Sequence, residues 1–345
     1  MTKILLVDNG ITFDSKLIRE KPFGGAEVAF VSLVESLAKE KFEVIVYNNC
    51  KNSGLINGVN WKKLDNNIEK ERCDVFIVNR GDKFLNYKKD CKNRIFWIHN
   101  PANYLLKYRY LSKLFFRQFK IVFSSRYHSK TYPFWAPSME RVVIPYGVDE
   151  SLFRQKKVSS RFSNKAIFTS NPMRGLDWLL NMWKKNIFKQ SNGSFLETYA
   201  GKNTYGSFGE KHKSEINRII KKAESLEDYN VIVKNPVKRN ILFKKIKQSR
   251  VFLYQGSPHE TFCMAVAEAQ TLGIPSVVMD FGCMNERVIN NKTGFVCQNE
   301  LEFCEKTISL LNDNTLWLRM HKEALKRKNY FKWKNIVKKW KQILV

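Results

Sequence analysis

A chain of 345 residues exceeds what one hydrophobic core usually supports, so two domains are the expectation. With 43% hydrophobic residues and 16 glycines spread along its length, the chain reads as globular, neither disordered nor fibrous. Its 60 Lys and Arg against 32 Asp and Glu give a formal charge of +28, a field that draws polyanions.

Other classes are disfavoured by what the chain lacks. No zinc-finger spacing, RNP aromatic motif or long basic arm is present, so no specific nucleic-acid partner is expected. No apolar run approaches the ~18 residues that span a bilayer, and Met1-Thr-Lys leads straight into a strand. A cytoplasmic protein is the expectation, with a basic surface as a route to the inner face of the membrane. The seven cysteines form no C-x-x-C pair, which fits reduced, buried thiols. The five histidines do not cluster and no Asp-x-Asp occurs, so no metal site is expected.

In chain order, short apolar runs alternate with helical patterns, the sign of parallel β/α/β layers. Candidate strands fall at 3–7, 43–47, 74–78, 94–98, 120–124 and 141–144. Gly24 and Gly25 stand where the first loop enters a helix running from Gly25 to Glu40, and glycine there lets backbone approach a phosphate closely. No G-x-G-x-x-G accompanies them, which argues against NAD. His99 ends the run Ile95-Phe-Trp-Ile98 and should present its ring beyond the strand end.

Residues 103–120 contain no acidic residue. At ~100° per residue, Tyr104, Tyr108, Leu111, Phe115 and Phe119 fall on one helical face as a core stripe, with Arg109, Lys113, Arg117 and Lys120 opposite. Leu106, Tyr110 and Phe116 lie beside the cations, a mixture suited to a lipid headgroup layer. Polar, aperiodic residues 148–164 read as a hinge linker.

A second series of strands follows at 166–169, 195–199, 231–233, 251–254, 276–279 and 294–297. Arg174 precedes a helix from Leu176 to Trp183; a cation at a helix start is disfavoured by the dipole and asks for an anionic partner. Lys202, after another strand, is a substitute candidate. The strand ending at Tyr254 is followed by the loop of Ser257-Pro-His-Glu-Thr-Phe-Cys-Met-Ala-Val-Ala-Glu268 and by a helix over 262–272. The amides of Phe262, Cys263 and Met264 would open that helix and could hold a diphosphate, with Thr261 beside them. Glu260 and Glu268 are two turns apart, roughly 12 Å at ~1.5 Å rise per residue, about the reach between the sugar and the ribose of a nucleotide sugar. The final stretch carries Trp333, Val337, Trp340 and Leu344 at helical spacing, the packing stripe of a last helix.

Together these pieces resemble the GT4 family of retaining glycosyltransferases, which have the GT-B fold. The resemblance rests on Lys3-Ile-Leu-Leu-Val7, Phe23-Gly-Gly-Ala-Glu27, Ile98-His99-Asn100, Ser124-Ser125 and Ile144-Pro-Tyr-Gly-Val-Asp149 in the first half. The second half adds Met173-Arg-Gly-Leu-Asp-Trp178, the Glu260 to Glu268 segment, Gln270-Thr-Leu-Gly-Ile-Pro275 and Asn291-Lys-Thr-Gly-Phe295. It implies two Rossmann-like, doubly wound α/β domains facing a cleft: an acceptor-side domain at 1–149, a linker at 150–164, a donor domain at 165–330, and a helix at 331–345 laid back on the first. It also implies transfer of a sugar from a nucleotide-diphosphate donor, a UDP- or GDP-sugar, to a glycan or lipid-linked acceptor. No metal and no cofactor would take part.

By the same resemblance the Gly24-Gly25 loop closes over the diphosphate, His99 contacts the donor sugar, Glu260 grips the sugar and Glu268 the ribose. The chain departs from the family in two places. Where an Arg and a Lys usually precede Gly175, Ser170 and Asn171 stand near the first position, leaving Arg174 in the second. Cys263 replaces a usual Gly after the Phe and would be strained if that position needs positive φ. Two other readings remain open: another GT-B enzyme such as a sugar-nucleotide epimerase, and a basic binding module on an inactive scaffold. Sugar, base and acceptor are not legible, although the loop Asn235-Pro-Val237 is the candidate base contact.

Overall fold

The computed structural model describes residues 1–21, 23–154, 164–191, 193–201 and 206–344, with backbone only for 206–208. Most of the expected 150–164 linker and the whole of Lys202 fall outside the described residues. The chain divides into two compact units. The first is Met1–Lys21, Ala26–Gly147 and Trp333–Val345; the second is Pro22–Gly25 and Val148–Lys332.

In the first unit an eight-stranded sheet comprises β1 (Lys3–Val7), β2 (Glu43–Asn48), β3 (Gly54–Ile56), β4 (Val59–Lys63), β5 (Val75–Asn79), β6 (Asn93–Trp97), β7 (Lys120–Phe123) and β8 (Glu140–Val143). Their order is β3-β4-β2-β1-β5-β6-β7-β8, parallel except for the β3–β4 pair. The central strands are continuous apolar runs because both faces are covered; Ile4 to Val7 and Val75 to Val78 are buried throughout. Chain progression reverses between β1 and β5, which makes their carboxyl ends the switch point where ligands bind in such sheets.

The β3–β4 hairpin was not among the expected strands. Its turn is Asn57-Gly58, both with positive φ, and its outer strand is exposed. Glycine is required at 58 because its φ is +81° and a Cβ would sit 3.1 Å from that of Ala38.

The expected 103–120 helix also needs correction. A short 3-10 turn at Ala102–Leu106 is followed by extended Lys107, and the helix begins afresh at Tyr108 and ends at Arg117, with Gln118 left-handed. That break rotates the phase, so the buried positions are Tyr110 and Leu114, whereas Tyr108 and Phe115 are exposed rather than core. Lys120 lies in β7, not on the helix.

The final helix, Trp333–Leu344, belongs to the first unit, as the resemblance implied. Trp333, Val337, Trp340 and Leu344 are all buried, and Trp340 meets Trp97 edge to face at 5.1 Å.

The second unit holds an all-parallel sheet of β9 (Lys165–Phe168), β10 (Phe195–Tyr199), β11 (Val231–Lys234), β12 (Val251–Tyr254), β13 (Ser276–Met279) and β14 (Gly294–Cys297). Their order is β11-β10-β9-β12-β13-β14, so this sheet reverses between β9 and β12. Two doubly wound parallel-sheet units of this kind are the GT-B architecture.

Candidate functional site

The switch point of the second sheet explains why residues 86 positions apart meet. The loop after β9 carries Arg174 and the loop after β12 carries Glu260, and their side chains pair at 3.1 Å. Each loop is shaped from within. Asn171 accepts from the Met173 amide and its carbonyl from the Arg174 amide, turning the chain into Gly175. Gly175 has φ +95°, and a Cβ there would lie 2.4 Å from the Gln255 side chain, so only glycine lets the two loops approach. Tyr254 donates its hydroxyl to Glu260 Oε1 at 2.6 Å. Burial raises the Tyr254 phenol well above its ordinary value, with the Glu260 charge adding to the effect, so it stays a donor.

After Glu260 the helix Met264–Thr271 begins two residues later than the sequence implied, with Cys263 as its N-cap. Cys263 is left-handed, φ 57°, which places the strain anticipated for a non-glycine there. Its side chain does not cap the helix, so the amides of the first turn point outward without an earlier carbonyl to bond. Those amides belong to Met264, Ala265 and Val266 rather than to Phe262, Cys263 and Met264. Phe262 is instead a buried anchor, with the Arg287 guanidinium 4.4 Å over its ring and Phe331 edge-on. Thr261 is buried beside it. Gly25 lies against the same helix start: a Cβ on it would be 3.1 Å from that of Met264, and Gly24-Gly25 group with the second unit.

Glu268 is buried and ion-paired to Arg239, the first residue of the helix Arg239–Lys247. The Arg239 Nε is buried without a hydrogen-bond partner, and its guanidinium lies 5.1 Å over the Phe243 ring. Arg239 was missed by sequence reading, although it follows the loop named as the base contact.

His99 sits in the first unit at the carboxyl end of β6, within a chain of polar contacts. Asp8 accepts from Asn79 Nδ2, Asn79 Oδ1 faces His99 Nε2 at 2.6 Å, and the Tyr146 hydroxyl lies 2.5 Å from Nδ1. Because Asn79 offers an acceptor, Nε2 carries the proton and Nδ1 accepts from Tyr146. Arg80, left-handed at φ 60°, joins Asp8 and Glu27, each at 2.8 Å. Burial pushes the His99 imidazole well below its ordinary value and the Arg80 charge pushes the same way, so the ring is neutral near pH 7. Asp8 follows β1, Asn79 ends β5 and Arg80 follows it, polar residues where apolar runs stop, which is the sequence signal that would have found them.

The basic residues of 103–120 scatter. Lys113 reaches Asp82 at 3.0 Å, with Arg109 3.8 Å from the same carboxylate. Lys120 donates to the Ile343 carbonyl. Arg117 and Phe116 remain at the surface. Among the described residues no group of His, Cys, Asp and Glu could hold a metal ion, and no helix is long and apolar enough to cross a membrane.

The fold of the two units is that of a GT-B protein, and the second unit brings Arg174 and Glu260 together at its switch point. Residues 172–327 match the family described as glycosyl transferases group 1. Solved structures share the fold at low identity. TarM of S. aureus, in a complex with UDP, is 16% identical at TM-score 0.59, covering 78% of this chain; this chain spans only 55% of it. Anabaena Alr3699/HepE, in complex with UDP and glucose, is 14% identical at TM-score 0.73, covering 100% of this chain and 99% of its own. WaaG, a glycosyltransferase involved in lipopolysaccharide biosynthesis, is 11% identical at TM-score 0.70, covering 99% of each chain. No protein of curated function matches the chain by sequence.

Proposed function

We propose that this protein is a retaining glycosyltransferase that moves a sugar from a nucleoside-diphosphate sugar to a glycan or lipid-linked acceptor. The observation that carries the reading is the meeting of Arg174 and Glu260 at the β9/β12 switch point, ahead of an uncapped helix start. As the glycosidic C–O bond breaks, the bonding pair leaves with the β-phosphate and the sugar gains oxocarbenium character. The helix amides and Arg174 are preorganised for that growing negative charge. The acceptor hydroxyl attacks from the same face, and its proton passes to the departing phosphate. Glu260 orients the sugar. These groups supply the positive charge the step needs, so the reading requires no metal.

Exposure separates the two ion pairs. Arg174 is 38% exposed, and such a pair is worth ~0–1 kcal/mol, so a diphosphate can take the arginine while Glu260 turns to sugar hydroxyls. Glu268 is 4% exposed, so its pair with Arg239 persists and its remaining oxygen serves the ribose. His99, held neutral, is the first-unit residue assigned to substrate contact. The UDP in the TarM and HepE complexes makes uridine donors the first to try, and the lipopolysaccharide role of WaaG favours a lipid-linked acceptor and peripheral attachment at the cytoplasmic membrane face.

The test is product analysis with UDP-, GDP- and ADP-sugars. Free sugar released first as the α-anomer from an α-linked donor, undiminished by a chelator, supports the assignment. An epimerised sugar nucleotide would make the protein an epimerase.

A further inference from the structure

The peripheral membrane attachment proposed above can be assigned to a definite surface, one that keeps Arg117 and Phe116 of the helix that the sequence suggested and adds residues from β6 and the loop before β8. No carboxylate lies between Asp90 and Glu140, a stretch with nine lysines and arginines. Within it the cations of the helix Tyr108–Arg117 divide. Lys113 and Arg109 are answered by Asp82. Arg117, at the other end, donates to the Asn86 amide oxygen at 3.5 Å and forms no ion pair among the described residues. Arg94, at the start of β6, stacks 5.6 Å over the Phe119 ring, and its Nε is buried without a hydrogen-bond partner. Burial and the neighbouring Arg117 both pull the Arg94 guanidinium down, and among the described residues neither arginine is paired with a carboxylate. That arrangement asks for an anion from outside.

Apolar groups surround the same spot. Phe115 and Phe116 are 67% and 74% exposed in the helix turn that ends just before β7. Phe134 and Trp135, at 93% and 60%, form the tip of the loop that leads into β8. The strands β7 and β8 are parallel neighbours with Lys120 opposite Glu140, and the Met139 amide bonds the Phe119 carbonyl. Helix end and loop tip therefore lie at the same amino-terminal edge of the sheet, beside Arg94 at the start of the adjoining β6.

The loop is held open by Arg141. Its guanidinium donates to the carbonyls of Tyr132, Pro133, Phe134 and Ala136 and to the Ser138 hydroxyl, and it stacks 4.7 Å over the Tyr132 ring. The aromatic tip is thus presented on a braced loop rather than collapsed onto the sheet. Exposed Trp and Phe beside unneutralised arginines match the headgroup layer of a bilayer, where rings enter the interface and cations meet phosphates. A groove for a peptide or a second copy would be expected to supply neutral partners or its own acids.

We propose that the amino-terminal edge of β6, β7 and β8, carrying Arg94, Arg117, Phe116, Phe134 and Trp135, is the surface by which this protein docks on anionic lipid. It rests on the glycosyltransferase reading only for its purpose, since vesicle binding is measured without turnover.

The experiment is sedimentation with vesicles of phosphatidylcholine alone or mixed with phosphatidylglycerol, at low and high salt, with soluble-donor hydrolysis followed in parallel. Wild type should bind the anionic vesicles and release in high salt. Arg117→Gln should weaken binding roughly fivefold, the effect of one cation near such a surface. Phe134→Ser with Trp135→Ser should abolish it, and Trp135→Phe should reduce tryptophan quenching by brominated lipid. Arg109→Gln, with its Asp82 partner, should change little. Hydrolysis should be unaltered in every variant, which separates failure of the docking surface from failure of the enzymatic reading. Equal binding to neutral vesicles, full binding by the double serine variant, or a wild-type dimer that the double variant converts to monomer would overturn the lipid assignment.

Discussion

Removing the Glu268 carboxylate tests two roles at once, because that side chain is both the proposed ribose ligand and half of a buried ion pair. In Glu268→Ala, Arg239 keeps its charge in a pocket where its Nε already lacks a partner. Breaking a buried pair from one side costs about 3–5 kcal/mol, set against about 5–15 kcal/mol for a whole domain. At about 2–4 °C per kcal/mol, the second unit should melt roughly 6–20 °C lower. The donor contact itself is worth about 1–3 kcal/mol, so the structural term is the larger. Glu268→Gln keeps an acceptor for Arg239 and is the better probe of ribose binding. A double-mutant cycle with Arg239→Met separates the terms: the double variant should recover much of the stability lost in Glu268→Ala, yet still bind nucleoside diphosphate weakly. Scanning calorimetry and titration calorimetry read the two quantities. Additive stability losses across the cycle, or wild-type nucleotide affinity in a folded Glu268→Gln protein, would refute the argument.

Arg174→Ala should lower kcat by more than it alters sugar preference, because the charge it meets grows in the transition state, and Arg174→Lys should recover only part; unchanged kcat/KM would place the diphosphate elsewhere. The His128 imidazole is pushed by burial from an ordinary 6.5 to about 4, its Nδ1 accepting from the Ser124 amide and its Nε2 facing the Asn100 carbonyl. The unfolded chain then binds a proton below 6.5 that the folded one refuses, so stability is full above that pH and falls between 6.5 and 4. Denaturation across that window should steepen with acid, and His128→Gln should flatten the profile; an unchanged slope contradicts the assignment. Trp340→Ala opens a cavity beside Trp97 and should cost the first unit about 3–5 kcal/mol, read by denaturant titration; a loss under about 1 kcal/mol would show that the last helix contributes little.

Much of the architecture was legible because parallel strands covered on both faces are written as unbroken apolar runs; β1, β5, β12 and β13 need only their own residues to be recognised. The β3–β4 hairpin escaped because it is short, polar and exposed, although Asn57-Gly58 announced its turn. The 103–120 segment misled for another reason: helical phase was carried across Lys107, where the backbone is extended, and one break is enough to exchange buried Tyr110 for exposed Tyr108. In the candidate site, Glu260, Glu268 and Arg174 stand beside motifs and could be named from sequence. Their partners could not. Arg174 meets Glu260 because β9 and β12 are neighbours, and Arg239 meets Glu268 because two helices pack, relations that no local pattern encodes. His99 was found, but its neutrality comes from burial and from the Arg80 charge just beyond β5, and its tautomer from Asn79, none of which its own segment encodes.

The measurement that bears most directly on the central claim is binding of UDP, GDP and ADP, each beside its monophosphate, to wild type and Arg174→Ala. The account predicts that one diphosphate binds wild type, that its monophosphate binds at least about tenfold more weakly, and that this difference shrinks in the variant as the charge-assisted contact of ~1.5–3 kcal/mol is lost. Equal affinity for mono- and diphosphate, or no nucleotide bound at all, would contradict it.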